Sequence, residues 1–451
     1  MSAWLRAVAA ASLIGATSAL ESAPSTPDPR FSDAAASAAL AAVAATRQVF
    51  VPIPAQPDLS GVASWLAWTE SELLTLRSEP LRVTQRHALP TPLRERPQID
   101  AAQGAAWVVD VDGVLTRWNL QPLGRQARVS AGLRTFAISP SRSEVLGVGA
   151  DPPALLWFDA ALHPTKWMPV TDDKRQRWAS VSALLIAPAR QSFVAVVPGL
   201  EQLWELSYNP ATPDIAAGFI HDFRYREGAF VRGYRNAQRI TLEHALGAVH
   251  LPCDGHELMG VASDGSVGVT HLDVRRRVAT LSGLPKPSRL ALDQAVSWRA
   301  GAQGWVAAPL VGEPRLALID VEHRQVVALL PTLAPIAGLT LQPGSTRLWL
   351  RFDNGPHAGS VQVIDGSAWQ ALGTLSLSAQ AVVDVSFDAS GRVAVAVLQG
   401  AVAAIDPQRL RETSRLPLQG VGGVLAASDA ATACPASAGP MNDRSNPRRP
   451  Q

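Results

Sequence analysis

The sequence predicts an all-β fold, an eight-bladed β-propeller of four-stranded antiparallel blades. Three observations predict it. A strand-and-turn pattern recurs every 40–50 residues, no long amphipathic helical periodicity separates the copies, and the 451 residues exceed what one simple core holds.

The repeat is anchored where an apolar, strand-like run ends in an acidic or small polar residue before a turn. The clearest copies are VTHLD at Asp273, LALID at Asp320, VQVID at Asp365 and VAAID at Asp406. Looser copies end at Ser78, Asn119, Asp159 and Ser207, and the eight anchors are separated by 41, 40, 48, 66, 47, 45 and 41 residues. A strand such as GWVAAPLV or RVAVAVLQG precedes each anchor, and a polar turn and another strand follow, as in VEHRQVVALLP. A unit of that length with about four strands cannot bury both faces alone, so such units stack around a channel. Strands near Val49–Pro54 and 414–424 are expected to complete one blade together and close the ring.

The ends read differently. Residues 1–23 have one arginine ahead of a short apolar run and small residues near Ala19 and Ala23, the pattern of an export signal. Residues 24–47 read as an Ala/Pro-rich linker, 48–427 as the propeller and 428–451 as a disordered tail. The expected location is the periplasm. No segment reaches the ~20 apolar residues that a bilayer span needs, so no transmembrane span is expected.

The formal net charge of +2 gives no basic field for nucleic acid. No nucleophile elbow, zinc-protease, Walker or dinucleotide motif is present, and no Cys-x-x-Cys-His attaches a c-type haem. Cys253 and Cys434 read as unrelated cysteines rather than a disulfide framework. His250, Cys253 and His256 stand at metal-like spacing, but a polar loop between strands is the favoured reading.

One interval breaks the period. The 66 residues from Ser207 to Asp273 exceed a blade by roughly 20 and contain FIHDFRYREGAFVRGYR, Phe219 to Arg235. All three tyrosines (Tyr208, Tyr225, Tyr234) and five of the nine histidines fall between 208 and 271. Guanidinium forks hold carboxylates at two points and stack on flat rings, so Arg224, Arg226, Arg232, Arg235 and Arg239 with His221 suit a flat polyanionic ligand such as a carboxylated tetrapyrrole. On composition alone, a solvated loop whose arginines pair with Asp222, Glu227 and Glu243 is slightly favoured.

The run QLWELSYNPATPDIAAGFIHDFRYREGAF, followed by RITLEH, resembles the NirF family of periplasmic d1-haem assembly proteins. That family is similar to the d1-haem propeller of cytochrome cd1-type nitrite reductase. The likeness continues through ELMGVASDGSVGVTHLDVRRRVATLSGLPKP and PRLALIDVEHRQVVALLPTLAP to SVQVIDGSAWQALGTLSLSAQAVVDVSFDASGRVAVAVLQG, and back through DGVLTRWNL. The resemblance implies non-covalent binding of d1-type haem, or a precursor, at one end of the channel. The implied work is late assembly, by modification of the macrocycle or by delivery to the nitrite reductase, alongside other assembly proteins. The implied site is His221, Asp222, Arg224, Arg226, Glu227, Arg232 and Arg235, with His221 leading as iron ligand or else bonding a haem carboxylate. Arg94 joins the site where the family places an early histidine, His87 being the nearest histidine here, and Lys286 replaces a second one. An interaction propeller that grips a protein without tetrapyrrole is the alternative.

Overall fold

The computed structural model describes residues 33–50, 64–140, 144–216, 230–353 and 355–427. It is an eight-bladed propeller. Eight four-stranded antiparallel sheets follow one another in chain order, each with its first strand at the channel and its fourth at the rim. Sheet-to-sheet packing creates eight apolar layers, one between each pair of neighbouring blades. Alternate residues of each strand feed alternate layers, which is why the strands read as nearly continuous apolar runs. Fully buried indoles fill several layers: Trp65, Trp107, Trp118, Trp157, Trp204 and Trp349.

The ring closes with the last strand inside the first blade. Val421–Ala426 pairs antiparallel with Ser64–Thr69, placing Trp65 opposite Ala426 and Trp68 opposite Gly423. The closing strand is thus not paired with a strand near Val49. Gln48–Val49 instead adds a fifth strand to the rim of the second blade, opposite Arg128 and Ala127. The stretch 33–45, expected within a linker, is a helix, α1 (Asp33–Ala45). Its alanines favour helix, and the side chains of Ala39 and Val43 are buried beside Trp167, Leu162 and Ala127 of the second and third blades. Arg47 Nε donates to the Ala161 carbonyl at 2.8 Å and Thr46 Oγ1 to Ser130 at 3.1 Å, which ties the strap down.

The anchors fall at the end of the third strand in every blade. The chemistry explains the repeat. Asp365 Oδ1 accepts the backbone N–H groups of Ser367 and Ala368, and Asp406 Oδ1 accepts those of Gln408 and Arg409. Asp159 and Asp320 cap their turns in the same way. Each turn then passes through a left-handed residue: Leu162, Arg324, Trp369 or Leu410. Hydrogen bonds from Ser367 and from the Arg409 N–H, respectively, lead in holding the Asp365 and Asp406 carboxyls below the usual range.

Strand alternation gives the ring two faces. Connections between blades, and between second and third strands, lie on what we term the upper face. Connections between first and second, and third and fourth, strands lie on the lower face. No helix among the described residues is long and apolar enough to cross a membrane.

Candidate functional site

The upper mouth of the channel is built where the ring closes. The connection from the first blade to the second carries Arg94-Glu95-Arg96, between Leu81–Ala88 and Gln98–Asp100. Across from it lie Val383 and Asp384 at the start of Val382–Phe387, Gly422 on the closing strand, and Trp68. Together with Leu93 these residues line a cavity of about 310 Å³. That is within the range of small-molecule sites.

Each side chain here is held. Arg94 Nε donates to the Asp110 carbonyl at 3.4 Å and Nη2 to the Val111 carbonyl, while Nη1 has no partner among the described residues. Arg96 Nη2 donates to the Val424 carbonyl at 3.0 Å, and its Nη1 lies 3.5 Å from Asp384 Oδ1. Asp384 also accepts the backbone N–H of Val424 at 3.1 Å, so the charge pair is stitched to the closing strand. Glu95 accepts Thr135 Oγ1 at 2.8 Å and the Phe136 N–H at 3.2 Å. Burial pushes the Glu95 carboxyl above its ordinary range despite those bonds and the charge of Arg94. Arg351 donates to the Val382 carbonyl at 3.1 Å, and its pKa is lowered by burial. The indole of Trp68 lies over Gly422 and Gly423; a Cβ at Gly423 would collide with it. Gly422 and Gly423 therefore form a seat for an aromatic face.

The arrangement can hold a flat anion: guanidinium groups for carboxylates, an indole edge for a ring and a carboxyl whose proton affinity burial raises. The same face carries the long connections 170–182 and 281–295, the second with exposed Lys286, and a half-buried histidine, His357.

The structure does not bring all the sequence-predicted residues here. His221, Asp222, Arg224, Arg226 and Glu227 lie outside the described residues. Their flanks leave and rejoin the fourth blade between Gln202–Ser207 and Ala237–Thr241, a connection of the lower face at the rim. Arg235 and Arg94 are therefore on opposite faces. Arg235 Nε donates to Glu144 Oε2 at 3.2 Å beside the Tyr234 hydroxyl, which donates to Oε1 at 2.7 Å. Arg235 also reaches Thr165 Oγ1 at 3.0 Å and covers the faces of Tyr234 and Trp157. Arg232 is exposed over the Tyr234 ring, and Arg239 pairs with Asp173 at 2.5 Å. Beside this root Lys166 donates to Asn236, and burial, with the charge of Arg235, draws its pKa down to about 8. His87 stands edge-on to Trp118 on the outer strand of the first blade, away from the mouth.

The HLPCDGH residues diverge. His250 Nε2 is buried without a hydrogen-bond partner among the described residues, and burial lowers the ring's pKa to about 4. His256 Nδ1 lies 2.9 Å from Asp273 Oδ2. Cys253, read as an unrelated cysteine, is disulfide-bonded, and Ser297 Oγ lies 3.3 Å from its sulfur.

Sequence reasoning missed Trp68, Glu95, Arg96, Arg351 and Asp384. The alternating charges of LRERP just before an inner strand were the available signal.

Comparison with known proteins accords with this fold. The profile of the cytochrome D1 heme domain family matches residues 98–429. Dihydro-heme d1 dehydrogenase of Pseudomonas aeruginosa is 27% identical over 357 residues, which are 76% of this chain and 65% of that protein. The chain thus spans somewhat under two thirds of that relative's length. The solved structure of dihydro-heme d1 dehydrogenase NirN in complex with DHE superposes with a TM-score of 0.74 at 21% identity, covering 90% of this chain and 83% of that one.

Proposed function

Because the chain belongs to the cytochrome D1 heme domain family, we propose that it binds a d1-type haem, or a precursor of it, non-covalently at the upper mouth. The observation that carries this reading is the convergence of Arg94, Arg96, Glu95, Asp384 and Trp68 on one cavity at the channel. Arg94 and Arg96 hold carboxylates of the macrocycle, Trp68 packs against its edge, and Glu95 takes up or gives a proton at the cavity wall. When bound, the group supplies redox chemistry and a visible spectrum. Arginine stays protonated and does not ligate iron, so Arg94 acts here as an anion holder. The candidate iron ligand at this mouth is His357 on the upper face; the flanks of His221, the ligand expected from sequence, root on the lower face.

The setting is late d1-haem assembly, by modification of the macrocycle or its delivery to cytochrome cd1-type nitrite reductase. The location is the periplasm, which the disulfide at Cys253 supports, since such bonds persist in oxidising compartments. Titration of the purified protein with d1-haem tests the reading: a saturable change in the Soret band is expected. An unchanged spectrum would leave a propeller that grips a protein partner. Multiple turnover of a precursor separates modification from delivery.

A further inference from the structure

We propose that Asp384 is a specificity-determining residue of the upper mouth: its carboxylate opposes those of the ligand and so limits how many the mouth accepts. This deepens, and rests on, the reading that the upper mouth binds a carboxylated tetrapyrrole. A mouth built only to attract anions would carry cations alone, yet here an acid is fixed among them. Asp384 stands at the start of the inner strand Val382–Phe387 and lines the cavity with Arg94 and Arg96. Its side chain is 13% exposed, whereas that of Arg96, 3.5 Å away, is 48% exposed. Backbone donors hold its two oxygens, the Val385 N–H at 2.9 Å and the Val424 N–H at 3.1 Å. The carboxylate also lies against the aromatic seat. A Cβ on Gly423 would come 2.3 Å from the Trp68 ring and 3.1 Å from Asp384 Oδ2, so indole and carboxylate converge over one residue. A macrocycle edge packed on Trp68 therefore brings its substituents beside a fixed negative charge.

The balance of charge then decides what fits. Arg94 is held by carbonyls and keeps its charge for the ligand. Arg96 is shared between Asp384 and the ligand. Glu95, the other acid at the wall, is turned to Thr135 and Phe136. Arg351 feels the same Asp384 carboxylate but is not among the residues that line the cavity. A first carboxylate of the ligand thus finds Arg94 unopposed. Each further one meets a cation that already faces an acid. Like charges a few ångströms apart at a half-exposed wall change affinity by roughly tenfold, and salt screens the effect.

Titration of the full-length protein with d1-haem and two free-base porphyrins tests this through the Soret band. The porphyrins bear four carboxylates (coproporphyrin) and eight (uroporphyrin). In the wild type the eight-carboxylate ring should bind no tighter than the four-carboxylate ring. Asp384→Asn keeps the shape and an acceptor for a backbone N–H while removing the charge. It should tighten binding of all three, roughly tenfold for d1-haem and most for uroporphyrin, and the gain should shrink in about 1 M salt. A role confined to stitching the closing strand would lower the thermal midpoint and leave affinity unchanged or weaker. That result, or a wild-type affinity that climbs with carboxylate number, would overturn the proposal. Should Asp384→Asn fail to fold, the wild-type series alone decides. A wild-type protein that leaves all three spectra unchanged removes the binding reading and this inference together. Binding by the wild type with no gain in Asp384→Asn removes this inference alone.

Discussion

Arg94 illustrates how a single side chain carries the proposed binding. Its Nε and Nη2 bonds fix the loop, and its side chain lines the cavity. A charged hydrogen bond is worth about 1.5–3 kcal/mol, so Arg94→Ala should weaken d1-haem binding roughly tenfold or more. Arg94→Lys should lose less, and circular dichroism should be unchanged in both. Equal affinities across the three proteins would move the site elsewhere. His250 makes a different prediction, about acid stability. Its folded pKa of about 4 lies below the ordinary 6.5. As pH falls through 6.5 the unfolded chain takes up a proton that the folded one refuses, so stability declines between about 6.5 and 4 and levels off below. The loss is on the order of 3 kcal/mol. His250→Phe should flatten that part of the pH profile of urea midpoints; a slope equal to wild type would mean the ring already has a proton acceptor.

Among the elements, the strand-end turns and the root of the long connection were not equally visible beforehand. The turns were legible because each needs the same carboxylate at the same offset, and the chain repeats it. Removing one such cap, Asp365→Ala, should cost about 1 kcal/mol and leave the ring intact, as read from thermal midpoints. The root of the 208–236 connection was legible only as an anomaly. Nothing local shows that Arg235 meets Glu144, 91 residues away. Breaking a buried pair leaves its partner uncompensated, so Glu144→Ala should cost about 2–4 kcal/mol, whereas Tyr234→Phe should cost about 1. A neutral Glu144→Ala would show that water replaces the carboxylate at no cost. The helix α1 was hidden for a related reason: alanine-rich sequence reads as linker until Ala39 and Val43 are seen to bury against Trp167.

For the whole molecule, the number of blades was readable because each blade is a copy, but how they close and what faces what were not. Closure pairs residues more than 350 positions apart, such as Trp65 with Ala426, and neither partner bears a mark of the other. The upper mouth suffers the same blindness, since Trp68, Arg94, Arg96, Asp384 and Gly422 come together only once the ring exists. Ending the chain after Pro417 removes the strand Val421–Ala426 and leaves Trp65 and Leu66 bare on the first blade. Such a protein should lose cooperative unfolding and aggregate, measured by light scattering; a monomer with a wild-type transition would show that closure is dispensable. The buried indoles have an optical consequence. They are spread among several blades around the ring, so a tetrapyrrole at the mouth sits within energy-transfer distance of many of them at once. Indole emission overlaps tetrapyrrole absorption, so occupancy should extinguish the ultraviolet fluorescence of the whole ring, giving the protein a built-in gauge of its own loading.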